Sequence, residues 1–314
     1  LPPAVEPVAA PPPGASFGVA DLSPVVTPNA EFYRIDTALS VPSVDTDSWS
    51  LVIHGMVDQP FELTYEDLLG MDLVERFVTL SCVSNQVGGD LVGTAIWRGV
   101  PLRQLLDRAG VRPGATQIVG RAVDGFTVGF PTDAAFDGRT ALVAVGMNGE
   151  PLPLDHGFPA RLVVAGLYGY VSATKWLSDI ELTTWEGFDA YWVPRGWSKE
   201  GPVKTQSRID VPRAGGVVGL EEISIAGVAW APNVGIERVE VQVDEGEWME
   251  AQLAEALSDD TWRQWMVRWS PTEGDHAIRV RATDRSGYTQ TEERVPPAPN
   301  GATGWHTIRV TASA

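Results

Sequence analysis

The only cysteine of the chain, Cys82, closes an apolar run, VTLSC, and is followed by VSNQVGGD. A thiolate placed where a strand gives way to a glycine-bearing loop can be approached closely by a bulky ligand, and its softness suits a soft metal. The plainer alternative is that a lone Cys in a strand is a small buried hydrophobe. A second stretch, GMNGEPLPLDHGFPARLVVAGLYGYVSATKWLSDIEL, combines His156, Arg161 and Lys175 with Gly166 and Gly169. Cationic side chains and backbone N–H groups in such a set can grip a phosphate. Each member also has an ordinary reading, as a solvated surface charge or a residue of a turn.

Several competing chemistries fail on spacing. Neither GGDLVG nor GLYGY has the form of a Walker A or dinucleotide fingerprint, and no G-x-S-x-G elbow occurs. One sulfur cannot build a disulfide framework or a thiolate-rich zinc or iron–sulfur site. The 12 tryptophans invite a carbohydrate platform, but Trp262, Trp265 and Trp269 fall in a strand-like region and read as core bulk.

The elements that must position these residues follow from periodicity. WSLVIHGMV is expected as a strand, LTYEDLLGM as a short helix capped by Thr64, and ERFVTLSCV as the strand that presents Cys82. VPLRQLLDRAGV has helical spacing and a closing glycine; ATQIVGRAV, ALVAVGM and ARLVVAG read as further strands, the last two buried on both faces. This half is expected to be α+β. A junction is expected within RGWSKEGPVKTQSRIDVPRAGG, beyond which Val239, Val241 and Val243, then Trp265, Val267 and Trp269, then Ile278, Val280 and Ala282 alternate with polar or outward positions. Such period-2 segments separated by turns predict an all-β, immunoglobulin-like sandwich. Residues 1–30 carry eight prolines and are expected as an extended arm or tether. The organisation expected is therefore an arm at 1–30, a first domain at 31–200 and a β-sandwich at 201–314.

Composition bounds the partners. A length of 314 residues with 44% hydrophobic content supports two cores. The 41 acidic against 23 basic residues give −18, a field that repels nucleic acid and anionic lipid and leaves a small-molecule substrate as the natural ligand. No apolar run approaches a membrane span, and the start lacks both initiator Met and signal-peptide pattern, as a processed or trimmed product would.

Four segments together resemble the sulfite oxidase family of molybdopterin enzymes, in its actinobacterial, membrane-tethered form. They are TPNAEFYRIDTALSVP, VTLSCVSNQVGGDLVGTAIWRGVPLRQLL, the stretch from AVGMNGEP to DIEL, and GPVKTQSRI leading into a tail with IAGVAWAP. The resemblance implies a mixed α+β cofactor domain followed by an immunoglobulin-like dimerisation domain, hence a homodimer, with molybdenum and molybdopterin as cofactors. It makes Cys82 the metal ligand in a TLxCxxN segment that also contains Asn85. His156, Arg161 and Lys175, with Ser172, would hold the cofactor phosphate and pterin, and Asp36 and Thr37 stand where the family commonly has Asn and His.

Two departures bear on substrate. Val87 stands where sulfite-oxidising members carry an Arg, and Phe126 where they carry an active-site Tyr. Loss of a cation and a phenol disfavours an oxyanion and favours a neutral sulfoxide-like substrate in a two-electron oxygen-atom transfer. Arg268 is the first candidate to replace the missing cation. No haem or flavin segment is visible, so a separate redox partner, a cytochrome or quinone-linked membrane protein, is expected. An extracytoplasmic or membrane-tethered location fits the proline-rich start. The alternative from another class is a non-catalytic binding or assembly module that retains the fold.

Overall fold

The strand Val74–Ser81 ends one residue before Cys82. Its side chains Val74, Val78, Leu80 and Ser81 are buried, and it pairs in antiparallel register with Val92–Pro101, so that the chain leaves and re-enters the sheet around the Cys82 loop. Val92–Pro101 in turn pairs with Ala141–Met147, which also pairs with Arg161–Val164. Ala141–Met147 is buried at every position and Arg161–Val164 likewise, as their unbroken apolar sequences require. A second five-stranded sheet runs in the order Phe61–Thr64, Ser50–Gly55, Leu177–Thr183, Gln117–Ala122 and Thr127–Pro131. The computed structural model describes residues 1–314.

Helix is scarcer than an α+β reading implies. The three α-helices, Tyr65–Leu69, Leu102–Ala109 and Gly169–Ser172, have 5, 8 and 4 residues, and the chain is mostly β. Thr64 caps the first through a reciprocal capping box with Asp67, and Gly110 ends the second in the left-handed conformation at φ 68°. The second buries Leu102, Leu105, Leu106 and Ala109, the i, i+3, i+4, i+7 set that its sequence displays. These residues join a core that draws on both sheets of the first half, including Leu51, Ile53, Val143 and Ile180.

The remaining strands form two further sheets. One follows the order Gln206–Val211, Ile223–Trp230, Arg263–Trp269, Gln252–Leu253; the other follows Val217–Val218, His306–Ala312, Gly274–Asp284, Ile236–Val243, Met249–Glu250. Both feed one core, with Ile209, Ile225 and Trp265 from the first and Val239, Val241, Ile278, Val280 and Ile308 from the second. Trp262 and Trp265 are buried and Trp269 packs against the core, so all three are interior bulk.

The proline-rich start lies along the body. Val5 N–H donates to Leu73 O at 2.8 Å, Phe17 N–H to Gln264 Oε1 at 3.0 Å, and Thr27 N–H to Thr94 O at 2.7 Å. Proline lacks the donor needed for a strand interior, so an extended segment anchored by scattered bonds is what such a sequence can form. No helix is long and apolar enough to cross a membrane.

Candidate functional site

Cys82 opens into a cavity of about 130 Å³ that it shares with Asp36, Thr37, Phe126, His156, Arg161 and Lys175. Segments far apart in sequence thus meet at one place. The Cys82 loop is closed internally: Cys82 N–H donates to Leu91 O at 2.9 Å, Asn85 N–H to Cys82 O at 3.0 Å, and Leu91 N–H to Asn85 Oδ1 at 3.0 Å. It is also held from the C-terminal half. Arg208 Nη1 donates to Gly89 O at 2.9 Å, and the His306 ring lies against Gly88, where a Cβ would come within 2.3 Å of it. Gly88, at φ 78°, is therefore required both for backbone conformation and for this approach. Burial pushes the Cys82 thiol above its usual pKa, against a 3.4 Å contact in which Ser84 N–H donates to its Sγ.

The cationic wall is built around the turn at Leu154–Gly157. Arg161 Nη1 donates to His156 O at 3.1 Å, Lys175 Nζ to Asp155 O at 3.0 Å, and Trp176 Nε1 to Leu154 O at 2.7 Å. Gly157, at φ 109°, makes the cluster possible: a Cβ there would stand 3.0 Å from Lys175 Cα and 3.2 Å from Arg161 Cβ. His156 Nε2 pairs with Asn29 O at 3.1 Å, and burial lowers the pKa of the ring. As a neutral ring donating from Nε2, it keeps Nδ1 as an acceptor.

Arg161 is 5% exposed and stacks over Trp97 at 4.9 Å. No carboxylate pairs with it, and burial pulls its guanidinium down to about 10. A buried cation without a counter-charge is costly, and an anion arriving in the cavity would relieve that cost. Lys175 is 8% exposed and pulled down to about 8 by burial, which its 2.8 Å pair with Asp36 offsets only in part. Burial opposes ionisation of Asp36, but Lys175 and Arg34 outweigh it and hold the carboxyl below the usual range. Arg161 and Lys175 are the only Lys or Arg side chains on the cavity wall.

Aromatic rings complete the wall. Phe126, Tyr170, Trp192 and Trp197 line it, linked through Tyr191 by ring contacts of 5.1 to 6.3 Å. Tyr33, stacked on Phe32 at 5.2 Å, lines it too. Burial raises the Tyr33 phenol well above its ordinary value, and proximity to Cys82 adds to this.

Four residues singled out from sequence do not reach the cavity. Asn85 serves the Cys82 loop, Ser172 Oγ donates to Tyr168 O at 3.1 Å at the start of its own short helix, and Val87 sits half-buried in the Gln86–Gly89 turn. Arg268, the candidate replacement cation, is exposed on Arg263–Trp269, because strand alternation turns it away from the buried Val267. Sequence reasoning missed Tyr33, Trp192 and Trp197. Tyr33 was discoverable, since it precedes Asp36 in FYRID; Trp192 and Trp197 lie in or beside the irregular connection, which has no period to read.

The lone thiol, the uncompensated Arg161 and the neighbouring Lys175 fit a large anionic ligand that also carries a soft metal, which is the chemistry of a molybdopterin-binding oxidoreductase. A family model described as "Oxidoreductase molybdopterin binding domain" matches residues 38–192. Human mitochondrial sulfite oxidase is 28% identical over 341 residues, covering 92% of this chain and 62% of its own length. The uncharacterized oxidoreductase YuiH of Bacillus subtilis is 35% identical over 157 residues, covering 50% of this chain and 76% of its own. The crystal structure of the sulfane dehydrogenase SoxCD from Paracoccus pantotrophus shares the fold, with a TM-score of 0.78, 22% identity, and coverage of 92% of this chain and 82% of that one. The chain belongs to the sulfite oxidase family of molybdopterin-dependent oxidoreductases, and its cofactor is molybdenum with molybdopterin. It spans about three fifths (62%) of the human enzyme.

Proposed function

We propose that this protein catalyses a two-electron oxygen-atom transfer on a small neutral substrate of sulfoxide type, in preference to sulfite. The observation that carries this reading is the division of cavity resources. Its cations, Arg161 and Lys175, are both tied to the Leu154–Gly157 turn, whereas the rest of the wall is largely apolar. Arg161, Lys175 and His156 would hold the cofactor's phosphate and pterin, and Cys82 would ligate the metal as a thiolate. When bound, the cofactor supplies the two-electron redox chemistry; the chain supplies position and exclusion of water. With both cations given to the cofactor, no further Arg or Lys faces a dianionic substrate, and Phe126 offers it no hydroxyl. A neutral S=O compound needs no such cation and gains from contact with Phe126, Trp192 and Trp197.

The wider organisation belongs to the same reading. The two C-terminal sheets with one core support an immunoglobulin-like domain at 201–314 that dimerises, behind a cofactor domain at 31–200 and an arm at 1–30. Electrons would come from a separate protein, a cytochrome or quinone-linked membrane component, at an extracytoplasmic or membrane-tethered site.

The test is metal analysis followed by turnover. Protein made in a host competent for molybdopterin synthesis should carry molybdenum near one atom per chain and reduce small dialkyl sulfoxides with reduced viologen. Sulfite oxidation should be about a hundredfold slower or worse, from a lost cation contact of a few kcal/mol. Absence of molybdenum would support a non-catalytic module, and brisk sulfite oxidation would refute the substrate assignment.

A further inference from the structure

From beyond its two flanking strands, the Cys82 loop receives a single hydrogen bond. Within residues 82–91 the bonds join Cys82 to Leu91 and to Asn85, Gln86 to Gly89, and Asn85 to Leu91, so the loop holds its own shape. Those bonds do not fix where the loop sits. Its outer anchor is the 2.9 Å bond that Arg208 Nη1 donates to Gly89 O.

We infer that Arg208 is a positioning residue for Cys82, through which the C-terminal half and the N-terminal arm set where the thiol stands in the cavity; this rests on the ligand role given to Cys82 above. Arg208 is 9% exposed and divides its donors among three segments. Nε donates to Asp210 Oδ1 at 2.6 Å, Nη2 to Ser23 Oγ at 2.7 Å, and Nη1 to Gly89 O. Asp210 closes the arrangement by accepting Ser23 N–H on its other oxygen at 3.1 Å. A planar fork held at two of its nitrogens has little freedom at the third, so the strand Gln206–Val211 and the arm together dictate the position of Gly89. Tying the arm to the C-terminal half would need only the bonds to Asp210 and Ser23. The bond to Gly89 adds nothing to that task and acts on the Cys82 loop alone.

His306 braces the same turn. Its ring lies against Gly88, and Ile209 N–H donates to its Nδ1 at 2.9 Å, which leaves the ring proton on Nε2. Burial, with the charge of Arg208 nearby, pulls the ring down to about 4. Near neutral pH it is therefore uncharged and packs beside the guanidinium without repelling it.

Cys82 is the only thiol of the chain, so its reaction with Ellman's reagent reads the loop directly. In the cofactor-free protein, Arg208→Met should raise that rate at least about tenfold, the worth of one charge-assisted hydrogen bond. Arg208→Lys keeps the charge but cannot span three partners, and should fall between the two. Ile225→Ala, in the C-terminal core and outside the clamp, sets the increase that general destabilisation produces. Loaded Arg208→Met should keep molybdenum per chain at the wild-type level, because the phosphate grip lies elsewhere, while turnover per molybdenum falls about tenfold and the thiolate-to-metal absorption shifts. A thiol rate that is unchanged, or raised no more than in Ile225→Ala at matched stability, would overturn the proposal. So would wild-type turnover and absorption in loaded Arg208→Met. Activity surviving in Cys82→Ser would instead mark failure of the ligand role, which the thiol rates of the cofactor-free protein do not depend on.

Discussion

Replacing Arg161 with Met separates cofactor binding from packing, because the two consequences have opposite signs. In the cofactor-free fold the guanidinium is buried without a carboxylate, and its pKa falls from 12.5 to about 10. At roughly 1.4 kcal/mol per unit, keeping it charged costs the fold about 3 kcal/mol. Met keeps an apolar stem near Trp97 but gives up the 3.1 Å charge-assisted bond to His156 O, a loss of at least about 1.5 kcal/mol. Cofactor-free Arg161→Met should therefore be more stable by up to about 1.5 kcal/mol, seen as a higher urea midpoint at unchanged slope. Because the folded pKa lies below the unfolded one, the wild type bears the full cost below pH 10, and the advantage of Met should shrink as pH rises from about 10 to 12.5. The loaded protein should show the reverse. One charge-assisted contact to an anion is worth about 1.5–3 kcal/mol, so cofactor retention should weaken at least about tenfold, measured as molybdenum per chain by mass spectrometry. A variant that is less stable when empty yet fully loaded would refute the reasoning, since Arg161 would then be a packing residue.

Two further outcomes follow from the same site. Cys82→Ser should abolish turnover while leaving the fold intact, since an alcohol is a poor and mostly protonated ligand for a soft metal; full activity in this variant would remove Cys82 from the metal. Lys175 loses its proton near pH 8, so the affinity of the cofactor-free protein for inorganic phosphate should fall as pH rises through that value. Calorimetric titration of wild type against Lys175→Met checks this, and a pH dependence that survives in the variant would assign it to another group.

Much of the molecule was legible in the chain itself. The strand before Cys82, the Thr64 cap, the helix at Leu102–Ala109 and the alternating strands of the C-terminal half are set by short-range periodicity and capping, which act between residues a few positions apart. Cys82, His156, Arg161 and Lys175 could be picked out as chemistry-bearing because their types and motifs are local. Their meeting in one cavity was not local: it depends on the Gly157 turn bringing Arg161 and Lys175 together, and on Arg208 and His306 reaching from the distant C-terminal sheets to hold the Cys82 loop. The same distinction explains Val87 and Arg268. Alignment of motifs placed them near the reaction, whereas a tight turn and the alternation of a strand direct them elsewhere. Tyr33, Trp192 and Trp197 enter the site through packing over long sequence separations, and no spacing rule records that. Sequence determined which residues could do chemistry and which elements carry them; the direction in which each side chain points, and whether a buried charge finds a partner, were decided only when the sheets closed on one another.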